Sequence, residues 1–162
     1  MIKLIDDKFR FSWLEPILFA LVLVVIIAWV SSCDLRPARA SEVDLAIIAK
    51  IESNNTPYAY NPRTQATGLF QITPVCLKEW NDFHYGNEWG MDALFDKFVN
   101  RMIADWYINI RIPQMLKFYH KPITLENILW AYNAGIGNVV KNRKPQETKN
   151  YIKKYLKLAK TK

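Results

Sequence analysis

The chain has only two cysteines in 162 residues, Cys33 and Cys76. They form no C-x-x-C pair and no zinc-ligand spacing, which excludes a disulfide framework and a cysteine-based metal site. The two histidines, His84 and His120, are isolated. Without acid–histidine clusters no catalytic metal is expected, and no cofactor is implied. No segment alternates apolar and polar residues convincingly as a strand, apart from a short candidate hairpin near 66–72, so an all-β architecture is excluded. Internal repeats and low-complexity tracts are also missing. Acidic residues are absent from the whole stretch 53–78.

What is present divides the chain. Ile17 to Val30 is an unbroken apolar run of 14 residues that ends at Ser31-Ser32-Cys33. It is shorter than the ~20 residues that span a bilayer comfortably. With Lys3, Lys8 and Arg10 ahead of it, the run suits the apolar region of a signal segment. Three outcomes stay open: acylation at Cys33 in a lipobox-like Val30-Ser31-Ser32-Cys33, cleavage after Ala38-Arg39-Ala40, or an uncleaved anchor over about residues 11–33. All three put the following domain outside the cytoplasm, on the periplasmic side of a cell envelope. The expected organisation is a signal or anchor segment at 1–33, a linker at 34–40 and one domain at 41–162. About 120 residues can bury enough surface to fold without a metal or disulfides.

Residues 1–33 hold three Lys/Arg and three Asp/Glu, so the net charge of +7 lies entirely in residues 34–162. A basic domain suits an anionic polymer or an anionic lipid. Its expected location disfavours nucleic acid as the partner.

The domain reads as helical throughout. Ser41-Glu42-Val43-Asp44 resembles a capping box. Val43, Ile47 and Ile51 then give a helical stripe, which should end near Glu52 to Asn54 because Pro57 and the Ser-Asn-Asn run break it. Thr73-Pro74 has the pattern of an N-cap followed by proline at the first helical position, for a helix through Trp80. Phe95, Phe98, Met102, Trp106 and Ile110 predict a helix over 91–111 that Pro113 limits. Thr124 caps a helix that stops at Gly135. Pro145 opens the last helix, with Tyr151, Tyr155 and Leu158 on one face. Trp80, Trp106 and Trp130 are expected in the core, as are Leu69 and Phe70. Trp89, in a polar loop, is a candidate for stacking on a ligand ring.

Glu52 is the leading catalytic candidate. It closes an apolar helix, where desolvation and the negative helix end both raise a carboxyl pKa. An acid still partly protonated near neutral pH can donate a proton to a leaving oxygen. Glycosidases ordinarily pair it with a second carboxylate. None follows nearby here, so such a site would lean on its substrate.

Three stretches carry a family resemblance. Glu52-Ser53, followed by Gly68-Leu69-Phe70-Gln71-Ile72-Thr73-Pro74, resembles E-S…G-L-x-Q-I-x-P. Ala131-Tyr132-Asn133-Ala134-Gly135-x-Gly137 resembles A-Y-N-A-G-x-G. Glu147-Thr148-x-x-Tyr151 resembles E-T-x-x-Y. Asn100 with Asp105-Trp106-Tyr107 resembles the central helix between them. In order and spacing these stretches resemble the soluble lytic transglycosylase (SLT) domain, a branch of the lysozyme-like fold, over about residues 42–157. Asn61-Pro62-Arg63-Thr64 departs from the Ser-Pro that the family often has there.

The resemblance implies an all-α lysozyme-like domain that cuts peptidoglycan glycan strands. The reaction would cleave the bond between N-acetylmuramic acid (MurNAc) and N-acetylglucosamine (GlcNAc) and form a 1,6-anhydro-MurNAc end. Glu52 would be the acid/base. Gln71, Tyr132 and Asn133 would face the sugar, Glu147 and Tyr151 would form a supporting pair, and Gly68 would let backbone approach the ligand. Two alternatives compete with this reading: a lysozyme-type hydrolase on the same fold, and a non-catalytic peptidoglycan-binding domain of an envelope machine.

Overall fold

A computed structural model describes residues 43–86 and 88–161 of the chain. The apolar run, Cys33, the 34–40 linker and Ser41 lie outside the described residues. No described helix is long and apolar enough to cross a membrane.

The described residues are mainly helical. In chain order they form α1 (Leu45–Ser53), β1 (Tyr60–Asn61), β2 (Ala66–Thr67), α2 (Pro74–Phe83), a 3-10 turn (Met91–Phe95), α3 (Lys97–Trp106), a π segment (Tyr107–Arg111), α4 (Ile112–Phe118), α5 (Leu125–Ala134), α6 (Ile136–Val140) and α7 (Gln146–Ala159).

The first helix starts later than the Ser41 pattern suggested. Asp44 is its N-cap, and the Asp44 carboxylate accepts from the backbone N–H groups of Ala46 and Ile47. Val43 and Ile48, on either side of this cap at the positions of a hydrophobic staple, are both buried.

Thr73 caps α2 through the Cys76 N–H, with proline in the first turn, and the helix continues to Phe83, beyond the expected end at Trp80. The hairpin also differs from expectation. Its first strand is β1, upstream of residue 66, in antiparallel register with β2 (Tyr60 opposite Thr67, Asn61 opposite Ala66). Thr67 then bridges Ile72.

Pro113 does not end the long central helix. The chain passes through it into α4, because the preceding segment widens to a π turn in which the Ile112 N–H reaches back to the Tyr107 carbonyl. Proline clashes with the carbonyl four residues back in an α-helix, and a π turn shifts that hydrogen-bond register.

The core gathers Ile48, Phe70, Ile72, Leu94, Ile103, Ile108, Ile112, Leu116 and Leu129, all at most 2% exposed. Trp80 and Trp130 are buried and Trp106 packs against the core, as their sequence positions suggested. Trp89 belongs there too. It packs on the core, and Asn81 clamps both its backbone N–H and its carbonyl, so it is not an exposed stacking platform. α7 packs on both α1 and α5, which brings three distant stretches of sequence to one place.

Candidate active site

That place is a cleft of about 370 Å³. Its lining includes Glu52 from the end of α1, Gln71 from the loop after β2, and Tyr132 and Asn133 from the end of α5. Helix C-termini supply Glu52 and the Tyr132–Asn133 pair because their chains turn sharply there. Asn54 ends α1 in the left-handed region at φ +53°, and Gly135 ends α5 at φ +81°.

Glu52 is partly buried, and the phenol of Tyr151 donates a 2.8 Å hydrogen bond to its Oε1. Burial raises its pKa to about 7. The Tyr151 hydrogen bond and the charge of Lys154 oppose the rise, and the charge of Glu147 adds to it. Desolvation dominates because the carboxylate loses more hydration than one phenol and one distant ammonium return. The result is an acid half-protonated near neutral pH. Among the described residues that line the cleft, Glu52 is the sole carboxylate.

The other polar groups are fixed by backbone. Gln71 is held at φ +49°, and its amide nitrogen donates to the carbonyls of Gly68 (3.0 Å) and Ala59 (3.3 Å). Its amide oxygen is the end left for a ligand. Tyr132 donates to the Phe70 carbonyl at 2.6 Å, and burial pushes its phenol well above the usual value. Asn133 Oδ1 accepts from the buried Thr148 hydroxyl at 2.7 Å. With that oxygen engaged, the Asn133 amide hydrogens are the part available to the cleft.

Gly68, Glu147 and Tyr151 do not line the cleft. Gly68 (φ +79°) is required by packing: a Cβ there would lie 2.2 Å from Asn100 Nδ2 and 2.3 Å from the Leu94 carbonyl. Tyr151 is buried and spends its hydroxyl on Glu52. Glu147, in the first turn of α7, is exposed. It reaches Glu52 only through its charge.

Several lining residues carried no signal in the sequence. Asn61 and Thr64 come from the stretch that departs from the family pattern. Cys76 and Tyr107 also line the cleft. Burial pushes the Cys76 thiol up to about 12, with the charge of Glu79 adding to the rise, so it stays protonated and inert. Among the described residues no group of three or more His, Cys, Asp or Glu is placed to hold a metal ion.

Ser53, beside Glu52, donates to the Leu69 carbonyl at 2.8 Å and accepts from the Thr56 N–H. The end of α1 is thereby tied to the loop that carries Gln71. Asn100, fully buried, accepts from the Phe70 N–H and donates to the carbonyls of Thr67 and Leu94. It holds the same loop from the other side.

Residues 37–155 match the family model of the transglycosylase SLT domain. No curated protein and no solved structure matches the chain. The matched span takes in the cleft and every residue that builds it, and the chain therefore belongs to the transglycosylase SLT family of the lysozyme-like superfamily, whose members act on peptidoglycan.

Proposed function

We propose that the protein is a peptidoglycan lytic transglycosylase that cuts the β-1,4 bond between MurNAc and GlcNAc, with Glu52 as its one acid/base. The observation that carries this reading is a single carboxylic acid, half-protonated near pH 7, with no second carboxylate among the described residues that line its cleft.

In the first half-reaction Glu52 gives its proton to the glycosidic oxygen, and the C1–O4 bond breaks. The acetamido oxygen of MurNAc closes on C1 and stabilises the positive charge, the task a second carboxylate performs in other glycosidases. In the second half-reaction the ionised Glu52 takes the proton from the 6-hydroxyl of the same sugar. O6 attacks C1 and the acetamido oxygen departs, leaving a 1,6-anhydro ring. No water is consumed, and Glu52 ends as it began. The Tyr151 hydrogen bond steadies the carboxylate between the two steps. The Asn133 amide hydrogens and the Gln71 amide oxygen supply one donor and one acceptor for the N-acetyl and hydroxyl groups of the sugar. The reaction is proposed to run outside the cytoplasm, with residues 1–33 bringing the domain to the envelope.

Mass spectrometry of fragments released from purified peptidoglycan tests the reading. Fragments should be one water lighter than hydrolysis products and lack reducing ends. Glu52→Gln should cut at least about 1000-fold more slowly and still bind peptidoglycan. Release of reducing ends alone would show that water is the nucleophile. Undiminished cutting by the Gln variant would reject Glu52.

A further inference from the structure

α7 presents a face that the cleft does not use. Lys149, Lys153, Lys157 and Lys160 are exposed, and on an α-helix these positions fall within an arc of about 80°. Leu156 lies beside them, 44% exposed. Together with Ile152 they line a shallow groove of about 570 Å³. The one carboxylate in that lining, Glu126, is already paired with Lys144. None of the four lysines is ion-paired among the described residues. α7 carries its apolar face inward through Tyr151, Ile152 and Tyr155, so this outward face is additional to what folding requires.

We propose that the lysine face of α7 docks on an anionic phospholipid surface, with the lysines meeting headgroup phosphates and Leu156 entering the interface. Three observations favour a bilayer over a soluble polymer. The exposed Leu156 among the lysines is an apolar side chain that the edge of a bilayer can cover and a soluble polyanion cannot. The first described residues also pack on α7, since the Asp44 N–H donates to the Tyr155 hydroxyl at 2.8 Å. Finally, only residues 31–42 separate Val30 from Val43, a stretch that reaches at most about 45 Å fully extended. With residues 1–33 holding the domain at the envelope membrane, as proposed above, this short tether brings the domain to lipid headgroups at high effective concentration. Docking through α7 would fix which way the cleft faces. It does not depend on the reaction in the cleft.

The test uses the full chain with Cys33→Ser and Leu156→Cys, labelled at residue 156 with an environment-sensitive dye; Cys76 is buried and escapes labelling. The protein is reconstituted in vesicles of phosphatidylcholine alone or with about 30% phosphatidylglycerol. The dye should shift to the blue only with phosphatidylglycerol, and about 0.5 M NaCl should abolish the shift. Replacing the four lysines with glutamine should weaken docking by roughly fivefold per lysine, with an unchanged circular dichroism spectrum. Equal emission on both vesicles would overturn the proposal, as would a shift that survives the four substitutions. A larger shift with a soluble polyanion, such as polyglutamate, would assign the face to a polymer and also overturn it.

Discussion

At the scale of the residue, the chemistry depends on what surrounds one carboxyl group. Tyr151 stabilises the ionised form of Glu52 by donating to it, so Tyr151→Phe should raise the Glu52 pKa further. The first half-reaction needs the protonated acid, and the alkaline limb of the pH–rate profile should therefore move to higher pH in the variant. A limb that stays in place or moves down would show that another group sets it. Thr148 acts one step further out. Its hydroxyl donates to Asn133 Oδ1 and so decides which end of that amide faces the cleft. Thr148→Val keeps the shape and removes the donor. It should lower kcat/KM by about tenfold, a loss of 1–2 kcal/mol typical of one hydrogen bond to a buried partner, while Thr148→Ser restores most of it. Equal losses in the two variants would mean that Thr148 only fills space.

At the scale of the element, the loop after β2 is built from its neighbours. Gly68→Ala would drive a methyl group into the Asn100 side chain and the Leu94 carbonyl, at a backbone φ that alanine resists. Overpacking plus backbone strain should cost about 3 kcal/mol or more, read as a lowered midpoint in urea unfolding. Asn100→Ala should cost a similar amount, because the Phe70 N–H and the Leu94 carbonyl lose the partner Asn100 gives them and the Thr67 carbonyl keeps only the Ile72 N–H. The sequence showed these elements unevenly. Caps with a local signature were readable: Thr73-Pro74, Thr124 and Gly135 mark real helix ends. Pro113 misled, because the π turn that accommodates it has no pattern of its own. Of the hairpin expected near 66–72 the Thr67–Ile72 bridge is present, but its partner β1 was missed, since two-residue strands carry too few side chains to show alternation. α6 was invisible for the same reason of length.

At the scale of the whole molecule, α7 folds back on α1 and α5 and holds Glu52 and Asn133 of the cleft through Tyr151 and Thr148, and no local pattern encodes that return. The family resemblance pointed to Glu52, Gln71, Tyr132 and Asn133, and these four do line one cleft. The pairing of Tyr151 with Glu52, 99 positions apart, and the use of Gly68 for packing needed the tertiary structure. The same burial that raises the Glu52 pKa makes the fold less stable as pH rises. Its pKa is about 7 when folded and near the ordinary 4.5 when unfolded. Between those values the folded state binds more protons than the unfolded state, so stability falls as pH rises through the window and is constant on either side. The full difference is about 3 kcal/mol. Glu52→Gln retains an acceptor for the Tyr151 hydroxyl and cannot ionise. Wild type and variant should therefore unfold at similar urea concentrations near pH 4, where both side chains are neutral. By pH 8 the variant should be more stable by up to about 3 kcal/mol, with the gap opening between pH 4.5 and 7. A constant gap across that range would mean that Glu52 titrates alike in the folded and unfolded chain. Its cleft would then give it no more proton affinity than water does.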